Sequence, residues 1–222
     1  EENDAVEQLA ARMASIAVAE AAEEAPAESS PKLSSAAAVF EPIPARSLPA
    51  SDERVLLLFD LNGTLGSKSD KRRKSGLRLR PGVDELQRLS SRFRLGLFSS
   101  ATAATLTKAV ALFTQTLGQS PFEVVMDRDK CELAPFRNGG KYDTIKPLAK
   151  YFPGALNRVI LIDDDEYKIQ EAERANLVHI PGWEGSAKCT LIPRLVSALL
   201  AEVTHGKDVR ECTKAVENAV KQ

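Results

Sequence analysis

The sequence predicts a doubly wound α/β fold built on a parallel β-sheet. The first observation behind this prediction is a series of short, continuous apolar runs, which are typical of strands covered on both faces. The second is that segments with apolar residues at helical spacing lie between those runs. The third is that the three strongest runs each end in polar residues. Strands that alternate with helices indicate a mostly parallel sheet, with its ligand crevice at the carboxyl ends of the strands.

The predicted elements follow one another along the chain. The candidate strands are Val55–Phe59, Arg94–Phe98, Val159–Ile162 and the weaker Leu177–Ile180. The candidate helices are one that begins after Pro81-Gly82 and buries Val83, Leu86 and Leu89, one within Thr105–Leu117 and one within Ile192–Val203. This order of elements is the one that a doubly wound sheet requires.

Residues 1–50 differ in composition from the rest of the chain, because they are rich in Ala, Glu, Ser and Pro. The apolar spacing predicts one helix within Glu2–Glu24, and the segment after it predicts a linker. Disorder of this region is favoured over folding against a partner. Because the sequence does not begin with Met, we expect a processed form or a fragment of a longer chain.

The globular domain is expected over residues 51–205, and an amphipathic C-terminal helix over 206–222. Apolar residues recur at helical spacing within Val209–Lys221, so this helix is expected to pack on the domain or on a neighbour. We therefore predict three regions: an N-terminal helix and linker, one domain and a terminal helix.

Composition excludes several classes of function. The net charge is −1 and the pI about 6.3, so nothing global favours nucleic acid as a partner. No segment approaches the roughly 18–20 apolar residues of a membrane span. The three cysteines form no CxxC pair, which favours free thiols in a reducing compartment over a zinc site.

Polar side chains follow the three strongest apolar runs. Asp60 follows the first run, Ser99 the second and Asp163-Asp164-Asp165 the third. A single Asp after a strand is usually a turn or cap residue. Three such groups at one sheet edge instead indicate a binding site, where clustered carboxylates need a divalent cation such as Mg²⁺.

The order of these groups resembles the haloacid dehalogenase superfamily. A lone Asp comes first, then a hydroxyl residue, then a lysine, for which we choose Lys146, and last an acidic run. Receiver domains carry their acidic pair first, and the chain has no GxxxxGK[ST] phosphate loop. The resemblance implies a Rossmann-like sheet without a large cap domain, since the gap between Asp60 and Ser99 is short.

Several motifs narrow the resemblance to the NLI-interacting-factor-like phosphatases, which include the phosphatases of the RNA polymerase II C-terminal domain. The matching segments are Leu58–Leu65, Arg80–Glu85, Phe98–Ala101, Asp127–Cys131 and Pro181–Trp183. The family also includes a receptor subunit of the mitochondrial inner-membrane translocase. Membership therefore implies an intracellular protein, and it leaves both the nucleus and the mitochondrion open.

The resemblance implies a role for each site residue. Asp60 is the expected nucleophile and a Mg²⁺ ligand, together with the Asn62 carbonyl, Asp164 and the adjacent Asp163. Ser99, Lys146 and Thr64 are expected to bind phosphate, and Thr64 also to fix the turn after Asp60. The alternatives are a helix cap for Ser99 and a solvated helix lysine for Lys146. The expected substrate is a phosphoprotein.

Asn62 departs from the family pattern, which usually has a second Asp there. That Asp acts as general acid and base, a contribution of roughly 10²–10⁴-fold in rate. An amide supplies neither function. The sequence therefore leaves two functions open: an aspartyl phosphatase of reduced activity, and an inactive phosphatase-like subunit of a larger, for example mitochondrial, assembly.

Three further features carry weaker predictions. The basic segment 68–80 is expected over the crevice mouth, where it recruits an acidic or phosphorylated partner, binds nucleic acid as a less favoured ligand, or is merely solvated. Residues 121–141 are expected to form a small insertion. His179 is expected to be a packed core histidine.

Overall fold

The computed structural model describes residues 52–67, 76–134 and 143–221. The strands are β1 (Val55–Phe59), β2 (Gly66–Ser67), β3 (Arg78–Leu79), β4 (Phe93–Phe98), β5 (Val124–Met126), β6 (Glu132–Leu133), β7 (Thr144–Ile145), β8 (Val159–Asp163) and β9 (Leu177–His179). The α-helices are α1 (Ala103–Leu117), α2 (Leu148–Tyr151), α3 (Leu191–Glu202) and α4 (Thr213–Lys221). Short 3₁₀ helices are Val83–Leu89, Arg128–Lys130, Leu156–Arg158, Glu166–Lys168, Glu171–Asn176 and Val209–Glu211.

The central sheet has five parallel strands in the order β5-β4-β1-β8-β9. β1 is therefore the middle strand, and all five of its residues are buried. Continuous apolar strands of this kind need cover on both faces, which the alternating β1 side chains receive from two separate cores. The predicted α/β fold is confirmed.

The two faces of the sheet are covered unequally. One core contains the buried sides of α1, α3 and α4 and of the 3₁₀ helix Val83–Leu89. The other core is smaller, and the one α-helix packed into it within the described ranges is the short α2. The predicted helices within Thr105–Leu117 and Ile192–Val203 are confirmed as α1 and α3. The segment after Gly82 buries the expected face, but as a 3₁₀ helix.

The prediction that residues 121–141 form an insertion is wrong for the first part of that range. Val124–Met126 is β5, the edge strand next to β4, and its three residues are too few to show as an apolar run. After it, β6 and β7 form an antiparallel pair. Residues 135–142 lie outside the described residues.

The C-terminal helix packs on the domain, and Val216 and Val220 are fully buried against it. The boundaries predicted at residues 50 and 205 stay predictions, and the N-terminal helix and linker fall outside the described residues. No helix of the described ranges is both long and apolar enough to cross a membrane. Between β1 and β4 the described residues form only the β2–β3 pair and a 3₁₀ helix, consistent with the prediction of no large cap.

Candidate active site

The ends of three neighbouring strands bring the predicted acidic and hydroxyl residues to one edge of the sheet. Asp60 follows β1, Ser99 follows β4 and Asp163 ends β8, and β1 lies between the other two strands. Ligand oxygens of Asp60, Asp163 and Asp164 lie within 4.8 Å of one another. The convergence predicted from the sequence is therefore present.

Lys146 lies between two of these carboxylates. Its Nζ atom donates to Oδ1 of Asp60 at 2.7 Å and to Oδ2 of Asp163 at 2.6 Å. The side chain is 0% exposed, so the alternative of a solvated helix lysine is wrong. Lys146 follows β7 and precedes α2, and the backbone there is fixed because the Glu173 carboxylate accepts from the first two N–H groups of α2.

The charges in this cluster shift the pKa values of its members. Burial by itself lowers the pKa of Lys146, but Asp163 and Asp60 outweigh it and raise that pKa above its ordinary value. Burial raises the pKa of Asp163 to about 7, although Lys146 acts in the opposite direction. Burial, and then the charge of Asp60, also raise the pKa of Asp164. Three carboxylates thus share one ammonium group, so the cluster is short of positive charge.

The donor set fits a magnesium ion, which prefers carboxylate and carbonyl oxygens. Each of the two oxygens of Asp163 accepts one hydrogen bond, Oδ1 from the Asp165 N–H at 2.9 Å and Oδ2 from Lys146. A carboxylate oxygen has two lone pairs, so Asp163 stays with Asp60 and Asp164 in the group of three carboxylates that could hold a metal. Asp163 is at the same time a partner for Lys146.

Asp164 lies in a narrow slot made by backbone. A Cβ atom on Gly63 would be 2.1 Å from Oδ2 of Asp164, and one on Gly182 would be 3.1 Å from the same atom. Gly63 also has a φ of 95°, a conformation that favours glycine. The Thr64 hydroxyl donates to Oδ1 of Asp164 at 3.1 Å. The Thr64 hydroxyl therefore orients the Asp164 carboxylate, in addition to the expected role of Thr64 in the turn after Asp60.

Arg80 belongs to the site, although the sequence predicts it on the exposed basic segment. It was expected in the basic segment over the crevice mouth, but it is only 2% exposed. Its guanidinium donates to the carbonyls of Gly63, Thr64 and Pro181 at 3.0–3.2 Å, and its Nε lies 3.1 Å from Sγ of Cys189. Arg80 thus joins the turn after β1 to the segment after β9. Arg80 stands at the end of a run of basic residues, so nothing in the neighbouring sequence indicates that its side chain is buried.

The turn around Asn62 is fixed by its backbone. The Gly63 N–H donates to the Gly66 carbonyl at 2.7 Å, and the N–H groups of Leu65 and Gly66 donate to the Leu61 carbonyl. The Trp183 N–H binds the Gly63 carbonyl at 2.8 Å. These hydrogen bonds fix the backbone at Asn62, two residues after Asp60. The side chain there is an amide, whereas the family pattern has a carboxylic acid.

Ser99 is buried where β4 turns towards α1. Its Oγ accepts a hydrogen bond from the Ala101 N–H at 3.3 Å. The alternative of a helix cap is wrong, because Thr102 caps α1 by accepting from the Thr105 N–H. The Ser99 O–H makes no other hydrogen bond within the described part of the chain, so its phosphate-binding role stays a prediction.

His179 lies beside the site and is not fully buried, so its assignment as a packed core histidine is wrong. Its Nε2 is 3.0 Å from the backbone oxygen of Asp164. Its Nδ1 is 3.0 Å from Oε1 of Glu166, at ion-pair distance but without the alignment of a hydrogen bond. The signal in the sequence was its place at the carboxyl end of β9, next to β8.

The cysteines are free, as the sequence predicts. Within the described ranges, the group of residues able to hold a metal consists of carboxylates alone. Arg78, at the edge of the basic segment, is exposed, donates to the Gly185 carbonyl and lies 5.9 Å from the centre of the Trp183 ring. Residues 68–75 lie outside the described residues.

Comparison with known proteins gives one family and several structures. Residues 55–210 match the family described as NLI interacting factor-like phosphatase. Comparison with curated proteins gives no match. A variant of the fission yeast RNA polymerase II CTD phosphatase Fcp1, bound to beryllium fluoride, is similar at 17% identity and a TM-score of 0.44, over 76% of this chain and 51% of that one.

A second Fcp1 structure, an essential RNA polymerase II CTD phosphatase, is similar at 15% identity and a TM-score of 0.46, over 76% of this chain and 63% of that one. The chain thus spans about half to two-thirds of the length of these solved relatives. The match over residues 55–210 covers more than half of this chain and nearly all of the described domain. The chain therefore belongs to the NLI interacting factor-like phosphatase family.

Proposed function

We propose that this chain is a Mg²⁺-dependent aspartyl phosphatase that acts on phosphoproteins. The observation that carries the proposal is the position of Lys146, which is fully buried and bonded to both Asp60 and Asp163. A buried ammonium between two carboxylates at a strand-end crevice orients one carboxylate and offers positive charge to an incoming phosphate. Family membership supports the same conclusion.

Each site residue takes a role that follows from its contacts. Asp60 is the nucleophile, and Lys146 orients it and balances charge on the transferring phosphoryl group. Asp163 holds Lys146, while Ser99 donates to a phosphate oxygen. Thr64 and Gly63 position Asp164. Asp60, Asp164 and the Asn62 carbonyl, with Asp163 beside them, would hold Mg²⁺, which supplies charge neutralisation and alignment of the phosphate.

A phosphoprotein fits the open site. The described residues between β1 and β4 include no cap domain, so a large substrate can approach the crevice. The exposed Arg78 near Trp183 offers a positive charge beside it. We keep the recruiting role proposed for the segment 68–80, without Arg80, whose donors are used internally.

The test of this proposal is hydrolysis of an aryl phosphate in the presence of Mg²⁺. Asp60→Asn removes the nucleophile but keeps the shape, so turnover should disappear. Asp84→Asn is a matched control, because Asp84 is exposed in the 3₁₀ helix. Mg²⁺-dependent turnover that survives Asp60→Asn would overturn the proposal.

A second candidate function is supported by Asn62: an inactive phosphatase-like subunit of a larger, for example mitochondrial, assembly. It predicts no turnover on any phosphoester and purification within a stable complex. An active, isolated monomer would exclude it. The two candidates share the fold and differ only in whether the Asp60–Lys146 cluster turns over.

A further inference from the structure

The groups around Asp60 determine which proton transfers the site can assist. Phosphoryl transfer from an alkyl phosphate needs a proton for the departing alkoxide, and hydrolysis of the aspartyl-phosphate needs a base for the attacking water. In most members of this family an Asp at position 62 does both. The question is whether another residue of this chain replaces it.

Thr64 is the nearest hydroxyl along the chain, and it is committed elsewhere. Its O–H donates to Oδ1 of Asp164 at 3.1 Å, and the residue is 0% exposed. A proton already donated to a carboxylate, on a side chain with no access to solvent, is not available for a leaving group. Thr64 therefore cannot replace an acid at position 62.

Lys146 is committed in the same way. It donates to Asp60 at 2.7 Å and to Asp163 at 2.6 Å, and none of its side chain is exposed. These contacts orient the nucleophile. Transfer of a proton from this ammonium would break the ion pairs that hold the cluster together.

His179 is the one histidine beside the cluster within the described residues, and both of its ring nitrogens face other groups. One ring nitrogen lies 3.0 Å from the backbone oxygen of Asp164, and the other lies 3.0 Å from the Glu166 carboxylate. Both nitrogens therefore lie against oxygens other than those of Asp60. The carboxylates of Asp163 and Asp164 already accept hydrogen bonds from Lys146 and from Thr64. None of these five side chains is therefore placed as a substitute for the missing acid and base.

We infer that this site takes phosphoryl groups from acyl phosphates, such as a phosphorylated carboxylate on a partner protein, and retains them as a long-lived phosphoryl group on Asp60. A carboxylate leaving group has a conjugate acid of pKa about 4 and departs without a proton, whereas a serine alkoxide does not. The inference rests on the proposed function and narrows its substrate class.

The chemistry balances without an acid at position 62. An Asp60 oxygen forms a bond to phosphorus, the bond from phosphorus to the acyl oxygen breaks, and its electron pair leaves on the donor carboxylate. No proton moves in this step. In the second step water must lose a proton as it attacks phosphorus and releases the Asp60 carboxylate. Asn62 accepts no proton, so the second step is slow and the phosphorylated chain accumulates.

The experiment is intact-mass spectrometry of the full chain with Mg²⁺ and either acetyl phosphate or a phosphoserine peptide. We expect the mass of one phosphoryl group to appear with acetyl phosphate and not with the peptide. The adduct should be removed by hydroxylamine, as acyl phosphates are. Asn62→Asp should release it about 100-fold faster or more, since general acid–base catalysis contributes roughly 10²–10⁴-fold.

Two controls keep the result specific. Asp60→Asn should take up no phosphoryl group from acetyl phosphate, and Asp84→Asn should behave as the unchanged chain. Because an Asn before Gly is prone to lose its amide nitrogen, peptide mapping should confirm that residue 62 is still Asn in the sample.

The outcomes separate this inference from the proposed function. If the chain releases phosphate from both donors at similar kcat/KM, or if Asn62→Asp does not shorten the lifetime of the adduct, the inference is wrong while the phosphatase assignment stands. If neither the chain nor the Asn62→Asp variant reacts with either donor, the phosphatase assignment fails, and the inference fails with it.

Discussion

The Lys146 ammonium lies 2.7 Å from the Asp60 carboxylate, although 86 residues separate the two along the chain. The same ammonium lies 2.6 Å from Asp163, which ends a neighbouring strand. The contact exists because β1 and β8 are adjacent and parallel, while the segment after β7 passes over their carboxyl ends. A buried cation in this place links the stability of the fold to the chemistry of the site.

Replacement of Lys146 should therefore affect both stability and activity. Lys146→Met keeps the bulk but leaves two buried carboxylates without a cation, a loss of about 3 kcal/mol in unfolding free energy by analogy with broken buried ion pairs. Turnover of an aryl phosphate should disappear. The measurement is urea denaturation without Mg²⁺, with Lys150→Met as control, since Lys150 forms an exposed pair with Glu132 and its removal should leave both properties unchanged. Wild-type stability in Lys146→Met would contradict this prediction.

Arg80 should be important although it carries no expected catalytic role. Arg80→Met removes the guanidinium donor from the carbonyls of Gly63, Thr64 and Pro181, of which the Gly63 carbonyl keeps the Trp183 N–H. The unfolding free energy should fall by roughly 3 kcal/mol or more, because each hydrogen bond from a charged group is worth about 1.5–3 kcal/mol. Arg80→Lys should be intermediate. Denaturation and turnover are measured together, and the exposed Arg88→Met is the control. Activity that is unchanged in Arg80→Met would show that the turn after β1 does not need this donor.

Gly63 should tolerate no side chain. Gly63→Ala meets Asp164 at 2.1 Å in addition to the strain of a positive φ. Gly206→Ala is the matched control, because Gly206 has a φ of 80° but open space around it, so it should lose only the roughly 1–2 kcal/mol of a left-handed backbone. Turnover should fall in the first variant and not in the second. Equal effects in the two variants would mean that the contact with Asp164 is unimportant.

Acid should destabilise the C-terminal helix through Glu217. Burial opposes ionisation of this side chain, but hydrogen bonds from Lys221 and Lys214 outweigh it and lower its pKa below the ordinary 4.5. A lowered pKa in the folded state gives stability that is complete above about pH 4.5 and is lost as pH falls through the folded value. The difference in unfolding free energy between the chain and Glu217→Gln should therefore be larger at pH 7 than at pH 3. An equal difference at the two pH values would contradict this prediction.

Local patterns in the sequence were enough to predict the sheet and the acidic edge of the site. Asp60, Ser99 and Asp163 each follow a buried apolar strand, and parallel strands bring their carboxyl ends together. No strand that the sequence reveals lies beside Lys146, so its assignment rests on the order of motifs in the family that the chain resembles. Its burial between two carboxylates is a property of the folded chain alone.

The residues that the sequence misplaced are those whose partners lie far along the chain. Arg80 binds Pro181, and His179 lies against the Asp164 backbone after two strands have paired. β5 was missed because three residues are too short to show periodicity. In the segment Val83–Leu89 the buried apolar residues recur every three positions, a spacing that fits a 3₁₀ helix as well as an α-helix.

The most direct measurement of the central claim is the rate of alkyl phosphate hydrolysis by Asn62→Asp, alone and combined with Asp60→Asn. If Asp60, Lys146 and Asp163 form an intact phosphoryl-transfer site that lacks only an acid and base, the single variant should gain roughly 10²–10⁴-fold in kcat. The double variant should then be inactive. No gain in the single variant, or a gain that persists without the Asp60 carboxylate, would contradict this account.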